Sequence, residues 1–175
     1  MSVRPISSTF STVFSFPHPV NDVAARLVAG MVVTISAAIV AFQVPWLIFF
    51  LVYGFLARVL TGPTLSPMGL LATKVLVPLL GNPERPVSGP PKRFAQSVGL
   101  AFSGTSLLLY YVFGMSVAAY SVLGVLVFFA ALEALLGFCT GCFVFGYLMR
   151  WGLIPQETRD KCNNLVLRLP DEAAA

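Results

Sequence analysis

Charged and apolar positions fall in blocks along this chain. No residue is charged between Arg26 and Arg58, and none between Arg93 and Glu133, which leaves uncharged runs of 31 and 39 residues. A helix crossing lipid takes about 20 residues, so each run is long enough for two. Turn chemistry divides each run near its middle, at Gln43-Val44-Pro45-Trp46 in the first and Phe113-Gly114-Met115-Ser116 in the second. The pattern predicts two helical hairpins, with helices over 23–43, 46–62, 94–113 and 116–137. That is an all-α integral membrane fold with four transmembrane helices.

The connection between the hairpins has two parts. Ser66-Pro67 is a helix start, because the serine oxygen caps free N–H groups and a first-turn proline has none to satisfy. The MGLLATKVLVPLL that follows is too short to cross lipid, and with its one lysine, Lys74, it suits a helix lying in the interface. After it, GNPERPVSGPP reads as a solvated loop ending just before Lys92-Arg93. Residues 1–20 form an arm with three prolines and no long apolar core, which argues against a cleaved secretory signal. His18, between Pro17 and Pro19, reads as an ordinary loop residue, and Asn21 or Asp22 is placed to cap the first helix. A four-helix domain over 21–152 and a polar tail over 153–175 complete the organisation.

Composition sharpens the class. The chain is 57% hydrophobic and 10% charged, with mean hydropathy +0.86. Soluble domains carry about 25% charged residues, so this chain lacks the groups to cover a water-facing surface. Its net charge of +4 is the surplus that membrane-flanking loops carry, and no nucleic-acid partner is implied. The two tight turns hold no charge, whereas both ends of the chain and the 81–93 connection do. Lys and Arg mark the side that is not translocated. Both termini are therefore expected on the cytoplasmic or matrix side of a bacterial cytoplasmic or mitochondrial inner membrane. Trp46 and Trp151 fall near helix ends, where indole prefers the interface.

A shift of 75 residues lays Arg58 on Glu133 and Gly62 on Gly137, and a short apolar segment follows each glycine. Hairpin, glycine break and apolar segment thus occur twice, the order of a parallel internal duplication. Arg58 and Glu133 are also charges inside the second and fourth predicted spans, each about one turn from the end of its helix. An ionised group there costs several kcal/mol unless paired, so a structural ion pair between Arg58 and Glu133 is expected to join the hairpins.

The residues with chemical potential are Cys139 and Cys142, a CxxC. Thiols at this spacing lie on one helical turn and can exchange a disulfide, share a metal or carry a persulfide. In an apolar helix they also pack as small residues, and Gly137 and Gly141 form a small-xxx-small face with them. Cys162, in the tail, is a candidate resolving thiol or third ligand, but three thiolates leave a zinc site incomplete. No metal and no cofactor are expected. Phosphate-binding glycine loops, HExxH, nucleophile elbows and paired catalytic carboxylates are absent from the sequence. The 15 Phe residues read as core or lipid-facing positions.

The run Pro90-Pro91-Lys92-Arg93-Phe94-Ala95-Gln96-Ser97-Val98-Gly99, with Leu136-Gly137-Phe138-Cys139-Thr140-Gly141-Cys142, resembles the family known as domain of unknown function 4395. Its members look like short four-helix membrane proteins with a PP-[KR]-FAQ-x-[IV]-G start to helix three and a GFCxGC end to helix four. The similarity covers about Pro19 to Gly152. It implies fold and placement more than activity. Some relatives are fused to, or lie beside, thioredoxin-like or rhodanese-like modules, which implies thiol or sulfur handling by Cys139 and Cys142. The chain departs from the family just after the cysteines, where Phe143 and Phe145 replace a frequent C-x-G-C-E-x-Y. The first expectation is a non-catalytic accessory subunit of a larger membrane complex, respiratory or otherwise energy-transducing, whose partners are lipid and other subunits. The alternative is a membrane dithiol protein that serves a thioredoxin-like or rhodanese-like partner.

Overall fold

A computed structural model of the chain describes residues 20–83 and 85–152. The expected arm up to residue 19, with His18, and the tail over 153–175, with Cys162, lie outside the described residues. Strand β1 (Val20–Asn21) leads into helix α1 (Asp22–Phe42), and the Asn21 side-chain oxygen accepts from the Val23 N–H at 3.0 Å, capping the first turn. Gln43, left-handed at φ 52°, ends α1, and helix α2 (Leu47–Thr61) begins after Pro45. Gly62, with φ 67°, closes α2.

Ser66 then caps helix α3 (Pro67–Leu79), accepting from the Gly69 N–H at 3.3 Å, with Pro67 in its first turn. The middle of α3, Ala72–Leu76, is π-helical, and Lys74 on it is exposed. Strand β2 (Pro86–Val87) pairs antiparallel with β1, Val20 opposite Val87. Helix α4 (Gly89–Tyr111), helix α5 (Ser116–Leu136) and helix α6 (Thr140–Arg150) follow. The last turn of α5, Leu132–Leu136, is π-helical and stops at Gly137, left-handed at φ 68°.

The four long helices match the expected ones to within a few residues, except that α4 begins at Gly89 and not at 94. Pro90 and Pro91 sit in its first turn, where the missing N–H groups would have been unpaired in any case. The segment read as a solvated loop up to Lys92 therefore ends in a two-residue strand and the start of a helix, and Lys92 is buried. Among the described residues, two of the six helices, α1 and α5, are long and apolar enough to cross a membrane.

Helix α1 packs on α5, and α2 on α4; α4 also lies against α5. α3 returns onto α1 as α6 returns onto α4, so the packing repeats the 75-residue echo of the sequence. Ile39, Ile48, Leu51 and Leu123 are wholly buried at the centre. The buried residues of α4, however, are Gly89, Lys92, Gly99, Ser103 and Ser106, while Leu108 and Tyr111 are exposed. Small and polar groups inside, with apolar groups outside, invert the plan of a water-soluble helix. Five hydroxyls are satisfied locally, those of Thr34, Thr61, Thr73, Ser103 and Ser121, each donating to the carbonyl four residues back, while the buried Ser36 and Thr140 hydroxyls have no partner. Ser106 donates across to the Ala119 carbonyl of α5 at 3.0 Å.

Small residues set the helix spacing. A Cβ on Gly99 would run into the Phe55 ring of α2, and one on Gly141 of α6 would lie 2.6 Å from Cα and Cβ of Ala95 on α4. Replacing Gly99 by valine should therefore lower stability by about 1–3 kcal/mol through overpacking, read as an earlier thermal unfolding of the detergent-purified protein. Unchanged unfolding would mean that α2 and α4 do not meet at this register.

Candidate functional site

Charge, cavity and thiols gather at one end of the helices. Lys92 Nζ, in the first turn of α4, lies 2.8 Å from Asp22 Oδ1 at the start of α1 and 3.0 Å from Glu133 Oε1 near the end of α5. Arg26 Nε, one turn into α1, is 3.5 Å from the other Asp22 oxygen, and the Arg26 guanidinium lies over Gly137, where no side chain would fit. One buried amine thus ties three helices together. Its second-turn neighbour on the same face, Gln96, accepts from Arg58 Nε at 2.8 Å.

The expected pairing of Arg58 with Glu133 is therefore not the one formed. Glu133 is taken by Lys92, whose amine reaches two acids from the helix start, and Arg58 is held by Gln96 and by the Phe55 ring, 4.5 Å from its centroid. Arg58 is only 4% exposed, yet Nη1 and Nη2 have no hydrogen-bond partner. It stands between two cavities. One, of about 120 Å³, is also lined by Glu133, Gln96 and Thr140. The other, of about 160 Å³, is lined by Lys92, Gln96, Asn21 and Thr73.

Cys139 and Cys142 do not sit within a continuous helix, because the chain breaks at Gly137 and restarts with α6. Cys139 is the residue that caps α6: its Sγ accepts from the Cys142 N–H at 3.4 Å, the role that a serine oxygen fills elsewhere. Both thiols are free; Cys139 is buried and Cys142 half-buried. The Cys142 thiol, donating to Cys139, holds the Cys139 pKa below its ordinary value against burial and the Glu133 charge, with help from the Cys142 N–H and Lys92. The same hydrogen bond, with burial, drives Cys142 far above the ordinary thiol range. The result is one thiolate-prone and one proton-holding sulfur in a single turn. An open recess of about 500 Å³ borders the pair, walled by Lys92, Asp22, Phe138 and Phe143. The rings of Phe138, Phe143 and Tyr147 continue outward from it in contact with one another.

Of the expected site residues, Glu133, Cys139 and Cys142 come to this end together, and Arg58 lies one cavity away. Lys92, Asp22 and Gln96 are the functional residues the sequence reading missed. Their signal was the Pro90-Pro91 pair: once it is taken as a first turn, Lys92 and Gln96 fall one turn apart on one face. Among the described residues no three His, Cys, Asp or Glu side chains gather as a metal site.

Two outcomes follow. Lys92→Met strands Glu133 and leaves Asp22 with Arg26 alone, and should destabilise the protein by roughly 3 kcal/mol, whereas Glu133→Gln, which leaves Asp22 to Lys92, should cost less; equal thermal unfolding of the two variants would argue against the bridge. In a Cys162→Ser background, Cys142→Ala removes the donor that favours the Cys139 thiolate. The pH midpoint of iodoacetamide alkylation at Cys139 should then move upward relative to the protein with Cys142, and an unmoved midpoint would show that Cys142 does not tune it.

No curated protein and no solved structure matches the chain. A family model does, that of a domain of unknown function (DUF4395), over residues 20–150, which take in the charge bridge, the Arg58 cavities and both thiols. With the match spanning most of its length, the chain belongs to the DUF4395 family.

Proposed function

We propose that this chain is an integral membrane protein of four spanning helices, α1, α2, α4 and α5, whose Cys139 and Cys142 exchange electrons with a soluble thioredoxin-like protein. Large apolar side chains exposed on all four helices support the spanning, among them Val40, Phe49, Leu108 and Phe128. The local bonding of helix hydroxyls supports it too, since lipid offers them no water. Asp22, Arg58, Lys92 and Glu133 lie toward one end of these helices, and the 43–46 and 112–115 turns carry no charge. That asymmetry favours termini and thiols on the cytoplasmic or matrix side.

The observation that carries the thiol reading is the capping geometry: Cys139 Sγ faces the first free N–H groups of α6, with a proton-holding partner three residues on. In the reductive direction the Cys139 thiolate attacks one sulfur of a partner disulfide and releases the other as a thiolate, which takes a proton. Cys142, giving up its own proton, then attacks the mixed disulfide. The Cys139–partner bond breaks as the Cys139–Cys142 disulfide forms, so two electrons and the Cys142 proton have passed to the partner, whose other proton comes from water. The aromatic border of Phe138, Phe143 and Tyr147 offers the partner a surface at the recess.

Mixing the reduced, detergent-purified Cys142→Ser variant with oxidised thioredoxin should trap a mixed disulfide through Cys139, and Cys139→Ser/Cys142→Ser should trap none. In isolated membranes the double variant should lose thiol exchange while any complex holding the protein still assembles. Thiol chemistry that does not depend on these two cysteines, together with assembly that fails without them, would overturn the dithiol reading in favour of the accessory subunit.

A further inference from the structure

The charges at the inner end do not balance. Arg26, Arg58 and Lys92 contribute three positive groups, and Asp22 and Glu133 two negative ones. Both acids are engaged by Lys92, and Asp22 by Arg26 as well, so Arg58 is left with only the field of Glu133, with which it forms no ion pair. Its Nε is satisfied by Gln96, but Nη1 and Nη2 are buried and unpartnered. A buried guanidinium in that state is strongly disfavoured unless something else fills it. The two free nitrogens form one edge of the planar fork that receives two oxygens of a carboxylate or phosphate.

Of the two cavities beside Arg58, the smaller already holds a carboxylate, Glu133, which would repel an anion. The larger is walled by Arg58 and Lys92 with the amides of Asn21 and Gln96, and no acid lines it. Apart from Thr73, the remainder of its wall is apolar, with Ala24, Gly62 and Gly69 among its small residues. We propose that this cavity, between α1, α2, α3 and α4, binds a phosphate-class oxyanion on Nη1 and Nη2 of Arg58, with Lys92 as the second cation. The group is either the headgroup of an anionic phospholipid or free inorganic phosphate; both present the same oxygens. The cavity shares Lys92 with the thiol recess but does not depend on the thiol chemistry.

The full chain, purified in detergent and stripped of lipid, is to be unfolded thermally in chloride and in inorganic phosphate at equal ionic strength. Protein loaded with phosphatidylglycerol or with phosphatidylcholine is examined in parallel by native mass spectrometry. The site predicts at least one positive result: a rise in Tm of about 3 °C or more at saturating phosphate, or a phosphatidylglycerol adduct that outlasts the phosphatidylcholine one. A phosphate shift alone identifies the free ion; an adduct alone, or one that phosphate displaces, identifies the lipid headgroup. Arg58→Lys should weaken either signal about tenfold or more, and Arg58→Met should abolish it. Thr73→Leu fills the cavity from α3 without touching Arg58 and should abolish it too, which keeps the test decisive if Arg58→Met does not fold. Wild-type protein with neither signal, as for a cavity holding water only, overturns the proposal, and so does a signal that survives both Arg58→Met and Thr73→Leu.

Discussion

A lysine amine shared between two carboxylates organises this molecule. Lys92 enters from the first turn of α4, Asp22 from the first turn of α1 and Glu133 from the last turn of α5, so a single buried contact sets the relative height of three helices. Apolar contacts cannot do this alone, because helices rich in Leu, Val and Phe slide past one another with little change in buried area. An ion bridge is directional and intolerant of displacement, since any shift that parts it leaves charge in apolar surroundings. Below that fixed point, Gly99 and Gly141 let α4 approach α2 and α6 closely, and Ser106 ties α4 to α5.

The same amine links structure to the chemistry of the thiols. Lys92 borders the recess at Cys139 and Cys142 and favours their ionised forms, while Glu133 opposes them. The hydrogen bond between the two sulfurs then decides which one ionises. What looks in the sequence like a cysteine pair inside an oily helix is in the structure a helix cap in a charged setting. The tuning comes from the break at Gly137, without which Cys139 would be one more side chain on a helical face.

The helices were legible because their determinants are local. Uncharged runs broken at Gln43-Val44-Pro45 and Phe113-Gly114-Met115 set four of them, and Asn21 and Ser66 cap as their side chains predict. The echo at Gly62 and Gly137 was legible for the same reason, since a terminator with positive φ is written in one residue. The pairing of charges was not. Arg58 and Glu133 stood out by their isolation in apolar runs, but their partners, Gln96 and Lys92, both come from α4, and which groups meet depends on rotation and height that no local pattern encodes. Lys92 was further concealed by prolines that resemble a loop and in fact begin a helix.

Glu133 lies in the π-helical turn Leu132–Leu136. Such a turn accommodates one residue beyond α-helical spacing, and that surplus sets the direction in which the carboxylate points and the place where Gly137 ends the rod. Here the chain tolerates a change of residue number as few helical positions can. A one-residue deletion would let the segment relax to ordinary α geometry while the terminator and the cysteines beyond it keep nearly the same direction around the axis, whereas the same deletion in the α-helical part of the rod would swing them by about 100°. The turn absorbs a change of length that the rest of the helix would pass on.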